Sequence, residues 1–389
     1  MIKPLVAALA LSAVGFSHSI WADPIKVGIA NDNSGPFSAV GAEIRDGINL
    51  AIQLLDGKLG GQPAEFIQQD MGGNPDQARQ LVNRFIQRDK IDFFTGPVGS
   101  NVALAVGPAL FKAEIPFLTA NPGPSQLAGK QCNPYFFGVS YQNDAFHEAA
   151  GKVAANRNYE KVFILAPDYP AGKDALTGFK RGYGKTPSEE LYTKLGQIDY
   201  AAELAQIRAN KPDAVFFFLP GGMGINFIKQ FVAAGLNKDT VLIGPGFSGD
   251  TDIIQAVGDP IEGMFNTAQW AHDLDITANK EFVEAFREKY EGRYPSVYAA
   301  QAYDVIMAMD AAVTQVNGNV KDRKAVLEAL KSANYESVRG PFTYGKNNFP
   351  IQPYYLRVIE RDEHGVLTNR LVETVFDRYQ DVYVDECKL

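Results

Sequence analysis

The sequence predicts an α/β protein with two doubly wound lobes. Short apolar runs alternate with segments of helical periodicity from residue 24 to about residue 268, an order typical of parallel sheets flanked by helices. Runs such as Val215–Leu219 show no polar alternation, as expected of strands that helices cover on both faces. A chain of 389 residues, 46% of them hydrophobic, is longer than one core usually supports, so we expect two domains.

The first α/β run extends to about residue 140. Asn74 should cap a helix that has Pro75 at its first position. Gly107-Pro108 should kink or split a later helix, because proline lacks the backbone N–H. The predicted strands are 24–30, 64–70, 91–95, 115–119 and 134–140, and the predicted helices are 42–55, one from Pro75 and one from Ser100.

A second α/β run follows, and the pattern then changes near residue 279. The second run has predicted strands at 161–167, 190–194, 213–220, 240–245 and 262–268, and helices at 143–155, 170–182, from Tyr200 with Asp199 as N-cap, 224–234 and near 250–256. The last part has predicted helices at 280–290, 297–316 and 322–333, then strands near 337–344, 354–360 and 367–375.

The first 22 residues are typical of a cleaved export signal. Lys3 forms a short positive region and Leu5–Phe16 an apolar region that is too short to span a bilayer. We expect cleavage between Ala22 and Asp23 and a mature protein in the periplasm. The net charge of −8, with no basic run, disfavours nucleic acid and anionic membrane surfaces as partners.

The remaining chemistry-bearing residues favour neither a metal nor a cofactor. His147, His272 and His364 are isolated from one another, and two cysteines are too few for a structural zinc site. Gly221–Gly224 lacks the rest of a phosphate-binding motif, and Gly246–Gly249 falls one residue short of GxSxG. An extracellular enzyme or a sensor subunit stays an unsupported alternative.

The two cysteines, Cys132 and Cys387, are the only thiols of a chain expected to be exported. In an oxidising compartment such a pair most often forms one disulfide, and we predict that bridge. Two separate buried thiols remain the alternative.

The stretch 91–130 reads as one strand–helix–strand unit with a loop after each strand. Loops at the carboxyl ends of adjacent parallel strands share one crevice. Gly99-Ser100 opens the helix, so Ser100 as N-cap and the nearby amides could hold a carboxylate without a lysine or arginine. The next loop, with Asn121 and Gly123, would face it. The alternative is that Ser100 only caps its helix.

Several aromatic residues lie near predicted strand ends, namely Phe37, Tyr169, Phe247, Trp270 and Tyr298. Each alone is better explained as core packing. Their concentration on glycine- and proline-rich loops favours a ligand pocket.

Motifs along the whole chain resemble the type I periplasmic substrate-binding proteins of ABC importers. The resemblance is to the branched-chain amino-acid-binding (Leu/Ile/Val-binding protein-like) family, and within it to a subgroup associated with uptake of aromatic carboxylates. The motifs are SGPFSAVG (34–41), GPVGSN (96–101), NPGPSQLAGKQCNPYFF (121–137), APDYPAGKDALTGFKRGYG (166–184), FLPGGMGINFIKQFVAAGL (218–236) and PSVYAAQAYD (295–304).

This resemblance implies two lobes joined by three crossings. A small molecule would bind between the lobes and be delivered to a membrane permease, by a protein without enzymatic activity and expected to be a monomer. The crossings would fall near Phe137–Tyr141, Thr267–Trp270 and Asn347–Pro353. The first lobe would comprise 23–139 and 269–347, and the second 140–268 and 350–389.

The resemblance also implies roles for single residues. Ser100 would hold a ligand carboxylate with help from Asn121 to Gly123, and Tyr298 would pack on the ligand side chain. Gly246 stands where the family usually has an acidic residue for the ligand ammonium, and Val40 where it has a tyrosine.

These departures favour an aromatic acid of the benzoate or cinnamate type over an α-amino acid. A branched-chain or other apolar amino acid stays the alternative ligand. Asp168, Asp250 or Asp304 could replace the missing ammonium partner from another position.

Overall fold

The computed structural model describes residues 23–389. The predicted signal peptide, 1–22, lies outside the described residues. The predicted α/β architecture is confirmed, because the chain forms two sheets of mainly parallel strands with helices packed on them. None of the helices in residues 23–389 has the length and apolarity needed to cross a membrane.

The first sheet has the order β2-β3-β1-β4-β5-β6. All neighbouring strands are parallel except β2, which forms a tight hairpin with β3. Its strands are β1 (Ile25–Asn31), β2 (Lys58–Leu59), β3 (Gln62–Asp70), β4 (Phe93–Thr95), β5 (Phe117–Thr119) and β6 (Phe136–Gly138).

The second sheet has the order β12-β13-β11-β10-β9-β7-β8, and β14 pairs with β13. Strands β7 to β11 are parallel, while β12, β13 and β14 are antiparallel to their neighbours. Its strands are β7 (Val162–Pro167), β8 (Glu189–Thr193), β9 (Ala214–Phe217), β10 (Val241–Pro245), β11 (Phe265–Ala268), β12 (Thr343–Tyr344), β13 (Pro350–Arg361) and β14 (Leu367–Tyr379).

Twelve helices cover these sheets in the part of the chain that the structure describes. They are α1 (Ser38–Leu54), α2 (Pro75–Arg84), α3 (Ser100–Lys112), α4 (Ser125–Ala128), α5 (Asp144–Asn156), α6 (Pro170–Tyr183), α7 (Ala201–Asn210), α8 (Gly222–Ala233), α9 (Thr251–Val257), α10 (Thr277–Lys289), α11 (Val297–Gln315) and α12 (Arg323–Lys331).

The late helices return to the first sheet. Helix α11 packs against α1 and β2, and α10 and α12 also lie in this layer. At the α1–α11 contact a Cβ on Gly47 would lie 2.1 Å from the Ala299 carbonyl oxygen, so only glycine permits this close approach. We call each sheet with its helices a lobe, and the residue bounds of the two lobes stay a prediction.

Two predicted helix starts can be compared directly with the structure. Asn74 is confirmed as an N-cap, because its Oδ1 accepts from the backbone N–H of Asp76 and of Gln77. Asp199 is wrong by one residue as N-cap, since Tyr200 precedes the helix. Asp199 lies one residue before the N-cap, and its Oδ1 accepts from the N–H of Ala201, the first helical residue, at 3.0 Å.

Two further element predictions differ from the structure. Of the kink or split predicted at Gly107-Pro108, the split does not occur, because helix α3 continues through Pro108. Pro108 lies on its exposed face, where water can reach the backbone carbonyl that lacks its usual helical partner. The strand predicted at 337–344 shrinks to β12, since Val338 N–H and the Ser337 hydroxyl bond to Asp304 rather than to a neighbouring strand.

The chain passes three times between the lobes, after β6, after β11 and along β12–β13. A buried arginine joins the first and third passages. Arg339 Nη1 donates to the Ser140 carbonyl at 2.8 Å and to Gln352 Oε1 at 2.9 Å, and Gln352 Nε2 donates to the same carbonyl at 2.6 Å. Asp304 balances the guanidinium charge with an Nε–Oδ2 distance of 3.2 Å.

The predicted disulfide is confirmed. Cys132 and Cys387 are bonded, with their Cα atoms 5.6 Å apart and 255 positions between them in the sequence. The bridge fastens the tail that follows β14 to the segment between α4 and β6. Asn347 reinforces this contact, because its Nδ2 donates to the Ala128 carbonyl at 2.9 Å and to Asp381 Oδ2 at 3.0 Å.

Replacing Cys387 by serine should lower the free energy of unfolding by up to about 5 kcal/mol, since the bridge closes a very long loop of the unfolded chain. Chemical denaturation without reductant measures this loss. Reductant should lower the stability of the wild-type protein and leave Cys387→Ser unchanged. Two free thiols in unfolded, unreduced wild-type protein would contradict the bridge.

Candidate ligand-binding site

Loops at the carboxyl ends of strands from both lobes enclose one cavity. This is where an open parallel sheet places its ligand crevice. The loops after β1, β4 and β5 face those after β7, β9 and β10. The lining residues are Phe37, Val98, Ser100, Asn121, Pro122, Tyr141, Asn143, Phe146, His147, Tyr169, Ala171, Phe218, Pro220, Phe247 and Tyr298.

Ser100 lies in this cavity at the start of α3. It is not the N-cap, because Gly99 holds that position and no side chain caps the helix. Ser100 is 1% exposed, and its Oγ accepts a hydrogen bond from Asn143 Nδ2 at 3.1 Å. The hydroxyl proton has no acceptor among the described residues, and neither do the N–H groups of Ser100 and Asn101 at the first two helical positions. This helix start therefore offers neutral donors suited to an anion.

Asn121 and Gly123 shape the facing loop with groups that are already engaged. Asn121 Nδ2 donates to the Val98 carbonyl and its Oδ1 accepts from Gln301 Nε2, both at 2.8 Å. The Gly123 N–H donates to Asn143 Oδ1 at 2.8 Å. A Cβ on Gly123 would lie 2.3 Å from the Tyr141 carbonyl oxygen, so a close approach requires glycine here. Asn121 lines the cavity, whereas Gly99 and Gly123 lie behind its wall.

Aromatic rings form most of the wall. Phe247 stacks on Tyr298 with ring centroids 5.0 Å apart, and it contacts Tyr141 and Phe146 at 5.5 and 4.8 Å. Tyr169 stands at the start of α6 and lies parallel to Phe218 at 6.3 Å. These flat, weakly polar surfaces match a planar apolar ligand.

Two polar atoms of the wall are buried without a partner, His147 Nδ1 and Tyr298 Oη. Burial lowers the pKa of His147 well below its ordinary value, so its imidazole is neutral at pH 7. Burial, and secondarily Asp252 and Asp250, raise the pKa of the Tyr298 hydroxyl well above its usual range. The aromatic wall is therefore uncharged but keeps polar atoms that a ligand could satisfy.

Trp270 does not line this cavity. Its indole Nε1 donates to Asn279 Oδ1 at 2.7 Å, and its ring packs on Phe282 with centroids 6.2 Å apart. Asn279 in turn donates to the carbonyls of the turn after Trp270, including His272 at 3.0 Å. Trp270 thus orders the passage from β11 to α10 and is not part of the proposed site.

The three acidic residues considered as ammonium partners are engaged elsewhere. Asp250 pairs with Arg357 at 3.1 Å and Asp304 with Arg339 at 3.2 Å, all four side chains being buried. Asp168 forms an exposed pair with Lys173 at 3.1 Å.

The neighbourhood of Gly246 is also unsuited to a cation. A Cβ on Gly246 would lie 2.9 Å from the Arg357 guanidinium Nη2. The position at which the family resemblance implies an acidic residue is therefore next to a positive group here. No Asp or Glu is found among the described residues that line the cavity.

Sequence reasoning missed eight lining residues. They are Val98, Tyr141, Asn143, Phe146, His147, Ala171, Phe218 and Pro220. Phe218 follows β9 directly, so the strand-end rule that selected the loop after β4 could have found it. His147 is an isolated histidine in the sequence, which disfavours a metal site and gives no sign of a ligand pocket. Among the described residues, no group of three or more His, Cys, Asp and Glu is placed to hold a metal ion.

A family model described as periplasmic binding protein matches residues 24–364. The chain belongs to the periplasmic binding protein family. The resemblance inferred from the motifs is thereby confirmed, and the fold is the type I periplasmic binding protein fold. Proteins of this family bind small molecules in the periplasm and deliver them to the permease of an ABC importer.

Two similar solved structures contain aromatic acids, whereas a similar curated protein is named for branched-chain amino acids. The chain is 30% identical to an ABC transporter solute-binding protein from R. palustris solved with benzoate, covering 94% of this chain and 100% of that one, with a TM-score of 0.88. A protein from Rhodopseudomonas palustris BisB5, solved with 3,4-dihydroxy benzoic acid, is 30% identical over 93% and 99%, with a TM-score of 0.84. Leu/Ile/Val-binding protein homolog 6 of Brucella melitensis is 27% identical over 98% of both chains.

Replacing Trp270 by phenylalanine tests its position outside the site. The change leaves the buried Asn279 oxygen without its donor, so the free energy of unfolding should fall by about 1–3 kcal/mol. Ligand affinity at 25 °C should stay within about twofold of wild type, since the ring does not line the cavity. Denaturation and calorimetry measure the two quantities. A large loss of affinity in a fully folded variant would return Trp270 to the site.

Proposed function

We propose that this protein is an exported, non-enzymatic binding protein that captures an aromatic carboxylate between its lobes for an ABC permease. One observation supports this ligand class above all others. A single cavity combines neutral hydrogen-bond donors at the start of α3 with an aromatic wall, and its lining contains no acidic side chain.

The charge balance of the cavity favours a carboxylate without an ammonium group. Ser100 and the first turn of α3 can donate hydrogen bonds to an anion. An α-amino acid would also bring a cation, and the described lining offers it no counter-charge. Burying an unpaired ammonium costs several kcal/mol, which lowers affinity by about a thousandfold or more at 1.4 kcal/mol per decade.

The relatives support both candidate ligands to different degrees. Solute-binding proteins with 30% identity to this chain bind benzoate and 3,4-dihydroxybenzoate, and the aromatic wall around Phe247 and Tyr298 suits such rings. The curated relatives are named for leucine, isoleucine and valine. A branched-chain amino acid therefore stays the second candidate, but the cavity gives its ammonium no partner.

In this proposal each lobe is formed by two separate stretches of the chain, and the ligand binds between the lobes. The first lobe comprises 23–139 and 269–347 and the second 140–268 and 350–389, and the bound ligand contacts both. Contacts to both lobes stabilise the closed form, by no more than the ligand's extra affinity for that form. The proposed binding residues are Ser100, Asn121, Tyr169, Phe247 and Tyr298, with Gly99 and Gly123 shaping the backbone of two loops.

Isothermal titration calorimetry with benzoate, 4-hydroxybenzoate, cinnamate, leucine and phenylalanine tests the ligand class. We expect binding of at least one aromatic acid and affinities for the two amino acids that are lower by about a thousandfold, owing to their unpaired ammonium. Tight binding of leucine without a response to any aromatic acid would overturn the proposal in favour of the second candidate.

Replacing Ser100 by alanine should weaken binding of the aromatic acid by about 1–3 kcal/mol, since one hydroxyl donor to a buried anion is removed. Ser188→Ala is the matched control, because that hydroxyl bonds to Asn210 Oδ1 at 3.0 Å, away from the cavity. An affinity of Ser100→Ala equal to that of the control would mean that the hydroxyl does not contact the ligand.

A further inference from the structure

Asn143 connects the cavity to a contact between the two lobes. It lies between the first passage and α5 and is 3% exposed. Its Nδ2 donates to Ser100 Oγ at 3.1 Å and to Asp174 Oδ2 at 2.9 Å, while its Oδ1 accepts from the Gly123 N–H at 2.8 Å. Its own N–H donates to the Gly123 carbonyl, also at 2.8 Å.

These partners define the orientation of the amide. A flipped Asn143 would direct its NH₂ group at the Gly123 N–H and its oxygen at the Asp174 carboxylate, and both contacts would be repulsive. Both Nδ2 hydrogens are therefore used within the protein. Asn143 has no donor left for a ligand carboxylate, although it lines the cavity.

The contact from Asn143 also decides which way the Ser100 hydroxyl donates. Since Ser100 Oγ accepts from Nδ2, its own proton must lie in another direction. Among the described residues nothing accepts that proton, and Ser100 borders the cavity. The amide thus orients the hydroxyl as a donor toward the ligand.

Asp174 accepts from Asn143 and also from Ser125, so it links Asn143 to a contact between the lobes. It lies on α6 of the second lobe and accepts from the Ser125 N–H at 3.0 Å and from Ser125 Oγ at 2.7 Å. Ser125 begins α4 of the first lobe. These two hydrogen bonds join α4 of one lobe to α6 of the other, so moving the two helices apart would break them.

We propose that Asn143 is a positioning residue that couples the donor function of Ser100 to closure of the lobes through the Asp174–Ser125 contact. The coupling rests on the proposed function only in that the ligand carries a carboxylate at Ser100. Leucine and an aromatic acid both satisfy that condition, so whichever of benzoate, 4-hydroxybenzoate, cinnamate or leucine the wild type binds serves as the probe.

A double-mutant cycle tests the link to Ser100. Asn143→Ala should weaken probe binding about 10–100-fold in the wild-type background, but less than about threefold in Ser100→Ala, because the oriented donor is already absent there. Asn143→Asp should weaken the carboxylate probe far more than its neutral amide, benzamide for benzoate, since a new anion repels only the former. Additive effects in the cycle, or equal losses for carboxylate and amide, would overturn the proposal.

Replacing Asp174 by asparagine tests the link to closure. This change should weaken carboxylate and amide probes by the same factor, and it should reduce the ligand-induced compaction measured by small-angle X-ray scattering. Asp213→Asn is the matched control, because that carboxylate accepts from the N–H groups of Glu160 and Lys161 within one lobe. Wild-type affinity and compaction in Asp174→Asn would exclude the coupling.

The outcomes separate this inference from the proposed function. Wild-type binding of leucine alone would reject the aromatic ligand, while the cycle, run with leucine, would still decide the role of Asn143. Binding of an aromatic acid together with an additive cycle would reject the coupling alone. If neither leucine nor any of the three aromatic acids binds, both proposals are wrong.

Discussion

The buried ion pair of Arg339 and Asp304 is the interaction on which the two-lobed arrangement depends. The guanidinium bonds to backbone and side chain of two different chain passages, Ser140 and Gln352. Burial raises the pKa of the Asp304 carboxyl while Arg339 lowers it. Removing either partner would leave a buried charge uncompensated, which costs about 3–5 kcal/mol. The first and third passages are therefore held together at one buried point.

The cavity lining, in contrast to this ion pair, contains no charged side chain. Its polar groups are hydroxyls, amides and a neutral imidazole, and the charged side chains nearby are paired outside its lining. On the proposed function, recognition of an anion would depend on oriented dipoles rather than on a lysine or arginine. Because neutral donors are less strongly hydrated than a cation, a ligand would replace their water at a lower desolvation cost. Selectivity would come from the missing counter-charge as much as from the contacts made.

Much of the fold follows from local sequence patterns. Buried strands such as β7 and β9 are continuous apolar runs, and Asn74 with Pro75 marks a helix start that the structure has at the same residues. The predictions that fail concern segments whose structure depends on partners far away in the sequence or on contact with solvent. Ser337 and Val338 leave the predicted strand because Asp304, on another helix, binds them. Pro108 is tolerated in α3 because that face meets solvent, which the sequence order alone does not reveal.

The residues of the candidate site, too, were only partly predictable from the sequence. Ser100, Tyr169 and Phe247 could be selected because strand-end loops of a parallel sheet converge, whereas Tyr298 lies on α11 and was selected through the family resemblance. Trp270 has the same residue type and a similar position, yet its indole N–H is directed at Asn279. Asn143 gave no signal in the sequence, since its importance comes from joining three segments that lie far apart in the chain.

The disulfide has a topological effect. By joining Cys132 to Cys387 it makes a covalent ring of the segment that contains every passage between the sheets and the whole second sheet. Among the described residues, only 23–131 and the last two residues lie outside this ring. A backbone cut anywhere inside this ring would leave the two pieces attached, so protease damage during life outside the cytoplasm need not release either half.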